Sequence, residues 1–277
     1  MEILKEITKE VFERYVPAAK MPERNTSVYG RMTAMLEESY SVLIAELVSP
    51  AFEGAIASGT ELKDKCLRVV CNDAFLRTAR SLDLVLTATG FGIVSTESTA
   101  PASRARVDAL IEQITINKLF TIGDIIALLT QTEGWGATAQ ASKAIPNLFY
   151  RLQHLRELTS LTTTTQNWQL AIGRAATADI LLRSEISEEY MEELLQKERT
   201  ATLENADIII VRMCREFMGN YISFFDEAPN KPAIQRIVEQ METYSSSYPT
   251  YQNSRLYHKR HGERYHNQKE DPTFFFM

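Results

Sequence analysis

Along most of this chain the apolar residues recur at spacings of three and four, and that single period restricts the fold more than any other feature. Ile3, Ile7, Val11 and Phe12, with Leu4 and Tyr15 alongside, share one face of a helix that Pro17 and Pro22 end. A second pattern runs from about Val28 to Val48 through Met32, Met35, Leu36, Leu43 and Leu47, and Ser49-Pro50 breaks it. A third begins after Gly59, with Thr60 at the N-cap and Glu61 in the first turn, and continues through Leu67, Val70, Ala74, Phe75 and Leu82. After Pro101 the period resumes through Val107, Leu110, Ile111 and Ile114. Thr121 with Asp124 three residues later reads as a fresh capping box, so two helices are expected to meet near Phe120.

The period changes at Leu84. Leu84-Val85-Leu86-Thr87 and Phe91-Gly92-Ile93-Val94-Ser95 are short, apolar and β-branched runs around a glycine turn, which predicts a β-hairpin over 84–95. Two strands are too few for a stable sheet, so they must pack on helices or pair with another chain. Gly134-Trp135-Gly136 is the clearest later break and predicts a subdomain boundary, giving helical regions 1–133 and 134–244. Beyond it, helices are expected over Ser142–Leu158, Trp168–Arg183, Ser187 to about Phe225 and Asn230–Tyr244, with Ser187 and Asn230 as helix starts. Thr162–Thr165 favours a linker or exposed strand, because β-branched residues lose rotamer freedom in a helix. From Ser245 the periodicity is lost, and residues 245–277 are expected to form an extended tail ending in Phe274-Phe275-Phe276. The expected fold class is mainly α: a helical bundle with one small β-hairpin and an extended C-terminal tail.

A chain of 277 residues with 44% hydrophobic content can bury a substantial core. No run is long and apolar enough for a membrane span, and the charged MEILKEITKEVFERY start lacks a signal-peptide h-region, so a cytoplasmic location without membrane contact is expected. The net charge of −6 argues against coating nucleic acid through one basic face. Acids dominate between Glu185 and Glu204, whereas Arg255, Lys259, Arg260 and Arg264 form a basic stretch; the two could meet between copies, although a solvated acidic face is the better explanation of the first. Cys66, Cys71 and Cys214 sit in apolar helical runs without CxxC spacing, so buried free thiols are expected.

Candidates for chemistry are few. His154 lies in a helical pattern; His258 and His261 at HxxH spacing, followed by His266, stand among Lys259, Arg260 and Arg264, which repel a cation. Gly90-Phe91-Gly92 is too short for a dinucleotide fingerprint and no P-loop is present. The pairs Glu188/Glu192 and Glu189/Glu193 suit a solvated helix face. No catalytic, cofactor or metal residue is therefore assigned, and a non-enzymatic role is expected. Two features call for a partner: the hairpin side chains Leu84, Leu86, Phe91 and Ile93, and Phe274, Phe275 and Phe276, which are costly to leave in water at the end of a polar segment and dock either on the chain's own body or on a neighbouring subunit. With Arg255, Lys259, Arg260 and Arg264 they make the expected interface set.

The run from Cys71 through LDLVLT and GFGIVS to Ser95, continuing as Ala100-Pro-Ala-Ser-Arg-Ala-Arg-Val107, resembles an uncharacterised family found in phages and prophages of Bacteroides and related gut bacteria. The resemblance implies a virion protein assembled in the host cytoplasm, of the kind that forms head-to-tail adaptor rings in the neck. It implies a cyclic homo-oligomer contacting the portal and other neck or tail proteins, without cofactors or sequence-specific nucleic acid binding. A scaffolding or regulatory module absent from the finished particle, and an enzyme of unfamiliar type, are the competing readings.

Overall fold

The computed structural model describes residues 2–17, 26–58, 60–81, 84–87, 90–93, 103–225, 227 and 229–262. The fold is mainly α. Thr8 opens α1 (Lys9–Tyr15) by accepting a hydrogen bond from the Val11 amide at 3.3 Å. There follow α2 (Thr26–Leu43), α3 (Glu53–Ser58), α4 (Thr60–Thr78) and α5 (Arg104–Leu129). Helix α4 packs on both α2 and α5, so the buried faces of these three helices form the N-terminal layer. Asp73 on α4 ties them together: it accepts from Ser39 (2.8 Å), Arg77 (2.7 Å) and Lys118 (2.9 Å). Partial burial pushes its pKa up, but the bonds from Lys118, Arg77 and Ser39 outweigh that and hold it down at about 2. Between α4 and α5, β1 (Leu84–Thr87) and β2 (Gly90–Ile93) run antiparallel, with Leu84 opposite Ile93 and Thr87 opposite Gly90.

Several expected boundaries move. The first helical pattern is a 3₁₀ turn, Glu2–Glu6, followed by α1. The second leaves α geometry at Leu43 and widens to a π turn over Ile44–Val48, closed by the Ser49 amide on the Ile44 carbonyl at 2.8 Å. Pro50 disfavours the α region at Ser49, which sits at φ 77°. The turn leaves the Leu47 and Ala45 carbonyls for other donors, and the Trp135 indole N–H (3.2 Å) and the Gln140 amide (2.9 Å) take them. The expected junction near Phe120 does not exist, because α5 is continuous. Its supposed capping residues are used differently: the Thr121 hydroxyl donates back to the Asn117 carbonyl at 2.9 Å, and Asp124 pairs with Lys65 at 2.6 Å.

Gly134, in the left-handed region at φ 85°, ends the first half of the chain, but the segment after it is a seam rather than the expected subdomain boundary. Trp135 is fully buried, and one apolar cluster runs from Ile7 to Tyr251 through it. A Cβ on Gly136 would stand 2.6 Å from the Arg199 carbonyl, so close backbone approach requires glycine there.

The remaining elements are α6 (Ala139–Ala144), α7 (Leu152–Leu158), α8 (Thr165–Glu185), α9 (Glu188–Arg199), α10 (Asn205–Ser223), α11 (Lys231–Thr243), α12 (Pro249–Gln252) and α13 (Arg255–His261). Ser187 caps α9 and Asn230 caps α11, both as expected; Thr164 caps α8, so part of the threonine run works as a helix start. The helix expected over Ser142–Leu158 is interrupted, since Pro146 turns Ile145 out of the α region. The resulting irregular segment is buried at Ile145, Leu148 and Phe149, and two arginines satisfy its carbonyls: Arg199 on Ile145 (3.0 and 3.2 Å) and Arg215 on Leu148 (3.1 Å).

The helix expected from Ser187 to Phe225 is also two. Ala201 adopts φ 53°, and buried Asp207 accepts from the Glu204 amide at 3.1 Å, starting α10 afresh. Asp207 also receives Lys197 (3.0 Å) and Tyr190 (3.3 Å). Asp207→Ala is expected to destabilise the chain by about 2 to 3 kcal/mol, read as a lower urea midpoint, because it removes the cap and strands buried donors.

The expected extended tail from Ser245 is overturned as far as Gly262: a 3₁₀ turn, α12 and α13 follow one another, with Tyr248, Tyr251 and Ser254 buried. The tyrosines supply the apolar area that the absence of aliphatic periodicity hid. Tyr248 packs edge-on to Tyr190 at 5.8 Å, and Tyr251 to Tyr257 at 5.4 Å.

Candidate functional site

The expected basic patch is carried by α13. Ser254 caps it, accepting from the Tyr257 amide at 3.2 Å, and its last turn holds His258, Lys259, Arg260 and His261. Arg260 reaches the Tyr251 hydroxyl at 3.1 Å and the Glu185 carbonyl at the end of α8. Glu242 accepts from Tyr251 (3.3 Å) and lies 3.1 Å from the His261 ring nitrogen, so α13 is fastened to α8, α11 and α12.

Two surface grooves flank this helix. One, of about 500 Å³, is lined by Leu181, Glu185, Lys231, Ile234, Val238 and Arg260, which makes an apolar floor walled by two cations and one carboxylate. The other, of about 450 Å³, lies between Ile180, Arg183, Glu188, Arg255, Leu256 and Lys259. Arg255, Lys259 and Arg260 from the expected interface set therefore come together around two grooves, whereas Arg264, His266, Phe274, Phe275 and Phe276 lie outside the described residues. Leu84, Leu86, Phe91 and Ile93 are located through their backbone register alone.

Glu188, Glu192 and Glu193 in the acidic stretch find cations within their own chain. Arg183 pairs with Glu188 (2.6 Å) and Glu192 (3.3 Å), Arg199 with Glu192 (2.9 Å), and Lys197 with Glu193 (2.6 Å). The Ser187 hydroxyl, and to a smaller extent Arg255, hold Glu189 below the usual carboxylate range. Cys66, Cys71 and Cys214 are buried free thiols as expected, and burial pushes each up to about 12. Among the described residues no group of three His, Cys, Asp or Glu side chains is placed to hold a metal ion. Nor is any described helix long and apolar enough to cross a membrane.

One polar cluster escaped sequence reasoning because its members are far apart in the chain. Glu198 accepts from Tyr150 (2.7 Å) and Arg215 (2.6 Å), and Arg151 donates to the Tyr150 hydroxyl at 2.8 Å. Against this group His154 is buried, edge-on to Tyr150 at 5.3 Å, and its Nδ1 has no hydrogen-bond partner. Burial, then the positive charges of Arg215 and Arg151, push the imidazole down to about 3, so it is neutral at pH 7. Tyr150 is pushed up by burial and by the Glu198 carboxylate. A phenol held protonated and a neutral imidazole are arranged here to anchor the irregular 145–151 segment onto α9 and α10.

The fold thus defines a mainly α, single-core protein whose described surface features are grooves around a basic helix. Residues 32–145 match the model of a family described as "Family of unknown function (DUF6712)", a stretch that runs from α2 through α6 and includes the Cys71–Val107 run. No curated protein and no solved structure matches the chain.

Proposed function

We propose that this chain is a structural virion protein of a tailed phage or prophage, a head-to-tail adaptor ring subunit that acts through protein–protein contacts and catalyses no reaction. The resemblance of the Cys71–Val107 run supports the phage setting. The observation that carries the contact-based role is the 500 Å³ groove between α8, α11 and α13, with its Leu181, Ile234 and Val238 floor and its walls of Lys231 and Arg260 against a single acid, Glu185. Its chemistry complements the segment Glu270-Asp271-Pro272-Thr273-Phe274-Phe275-Phe276: acids for the cations, rings for the apolar floor. In this reading the phenylalanines of one subunit enter the groove of the next, a head-to-tail contact that closes into a ring. The β1–β2 hairpin, between α4 and α5, supplies a second contact.

Deleting Phe274–Met277 is expected to leave circular dichroism and melting temperature nearly unchanged while weakening self-association or assembly on a portal at least tenfold. Destabilisation of the isolated chain with assembly intact would overturn the contact between subunits. Mass spectrometry of purified particles separates the readings further: stoichiometric presence is expected, and absence from finished particles would favour a scaffold instead.

A further inference from the structure

The C-terminal end of α10 holds one arginine and stands beside a cavity of matching chemistry. Helix α10 is 19 residues long, so its last carbonyls concentrate negative partial charge, and no basic residue stands in its own last turn. Arg174 of α8 answers that charge: it donates to the Ile222 carbonyl at 2.7 Å, and its guanidinium lies 4.6 Å from the centre of the Phe225 ring. Phe225 meets Tyr221 edge-on at 5.4 Å, and Tyr221 stacks on buried Phe217 at 6.1 Å, so a ladder of rings runs along the helix end. Phe217, Tyr221 and Phe224 line a cavity of about 220 Å³, together with Asn220, Glu227 and the Pro229-Asn230 step before α11.

The groups around this cavity favour one charge. Aromatic rings, the C-terminal end of a helix and a carboxylate each attract a cation, and among the described residues that line it Glu227 alone is charged. Pockets for small-molecule ligands begin at about 300 Å³, so the space suits the end of a single side chain. We infer that this cavity takes an arginine side chain presented by a partner protein. Arginine fits better than lysine, because a planar guanidinium stacks on a ring while its N–H groups reach a carbonyl or a carboxylate. Arg174 is held in that way at the same helix end. An arginine entering the cavity covers Phe224, which is 53% exposed in the free chain, and meets the Glu227 carboxylate. A buried arginine over aromatic rings is also the kind of anchor that dominates protein interfaces. The cavity adjoins the groove of the proposed tail contact through Pro229, yet the two select opposite charges: Glu227 stands here, whereas Lys231 and Arg260 outnumber Glu185 there. The inference does not rest on the proposed ring, since any partner with an accessible arginine meets its requirement.

Nuclear magnetic resonance of the full chain, labelled at phenylalanine and tyrosine, tests this with a capped Gly-Arg-Gly peptide. Its counterpart carrying citrulline keeps the shape of the side chain and loses the charge. The arginine peptide is expected to give saturable shifts of the Tyr221 and Phe224 rings, with a Kd in the millimolar range because one side chain supplies the contact. Glu227→Gln and Phe224→Ala should each weaken binding at least threefold with unchanged circular dichroism, since both side chains are exposed. The citrulline peptide should leave those rings unmoved. Absence of saturable shifts overturns the inference, and so does an equal response to citrulline. Arginine binding that both variants leave unchanged overturns it as well, because the cation would then be held elsewhere on the chain.

Discussion

Trp135→Ala is expected to lower the unfolding free energy by about 3 to 5 kcal/mol, a large fraction of what holds a domain folded. Trp135 is among the largest fully buried side chains and stands where the π turn after α2, the start of α6 and the end of α9 converge. Truncation removes the ring, opens a cavity between elements that cannot all close on it, and leaves the Leu47 carbonyl without its 3.2 Å donor. Trp135→Phe separates the contributions. It keeps most of the apolar volume and loses the N–H, so a cost of about 1 to 2 kcal/mol is expected. Urea unfolding followed by far-ultraviolet circular dichroism checks both. A loss below about 1 kcal/mol for the alanine variant would mean that the two halves of the chain do not depend on this seam.

The second large effect is one of pH. His154 has an ordinary pKa of 6.5 and is held at about 3 in the fold, by burial first and by Arg215 and Arg151 after it. Below pH 6.5 the unfolded chain takes up a proton that the folded chain refuses, so stability is lost progressively as pH falls from about 6.5 towards about 3. At pH 4.5 the expected loss relative to pH 7 is about 2.5 kcal/mol from this residue alone. Asp73, held at about 2, keeps its contribution until lower pH, and Asp179, raised by burial, acts in the opposite sense as it protonates. His154→Phe preserves the ring contacts with Phe149 and Tyr150 and should flatten the stability curve between pH 6.5 and 4.5. Equal slopes for parent and variant would show that the imidazole protonates in place, with water reaching its Nδ1.

How much of this was legible beforehand divides along a physical line. Helix content follows from a local period, and so do the starts at Ser187 and Asn230, because a cap is a bond between a side chain and an amide three residues on. Buried cysteines follow from their place in apolar runs. The errors came where a local signal competes with a distant partner. Thr121 and Asp124 have capping chemistry, yet the Asn117 carbonyl and Lys65 claim them and α5 runs on. The tail after Ser245 has no aliphatic period, yet Tyr248 finds the Tyr190 ring and the Ala206 carbonyl far away in sequence and folds it back.

The candidate surface divides in the same way. Arg255, Lys259 and Arg260 could be marked as basic from sequence, but the groove they wall exists only because α8, α11 and α13 meet. Sequence alone determined the helical class, the caps at Ser187 and Asn230 and the chemistry available, because these rest on neighbours within a few residues. Only the tertiary structure decided which carbonyls the arginines reach, which faces stay bare and where Trp135 joins the two halves. Those outcomes come from contacts between residues tens of positions apart, which no local period encodes.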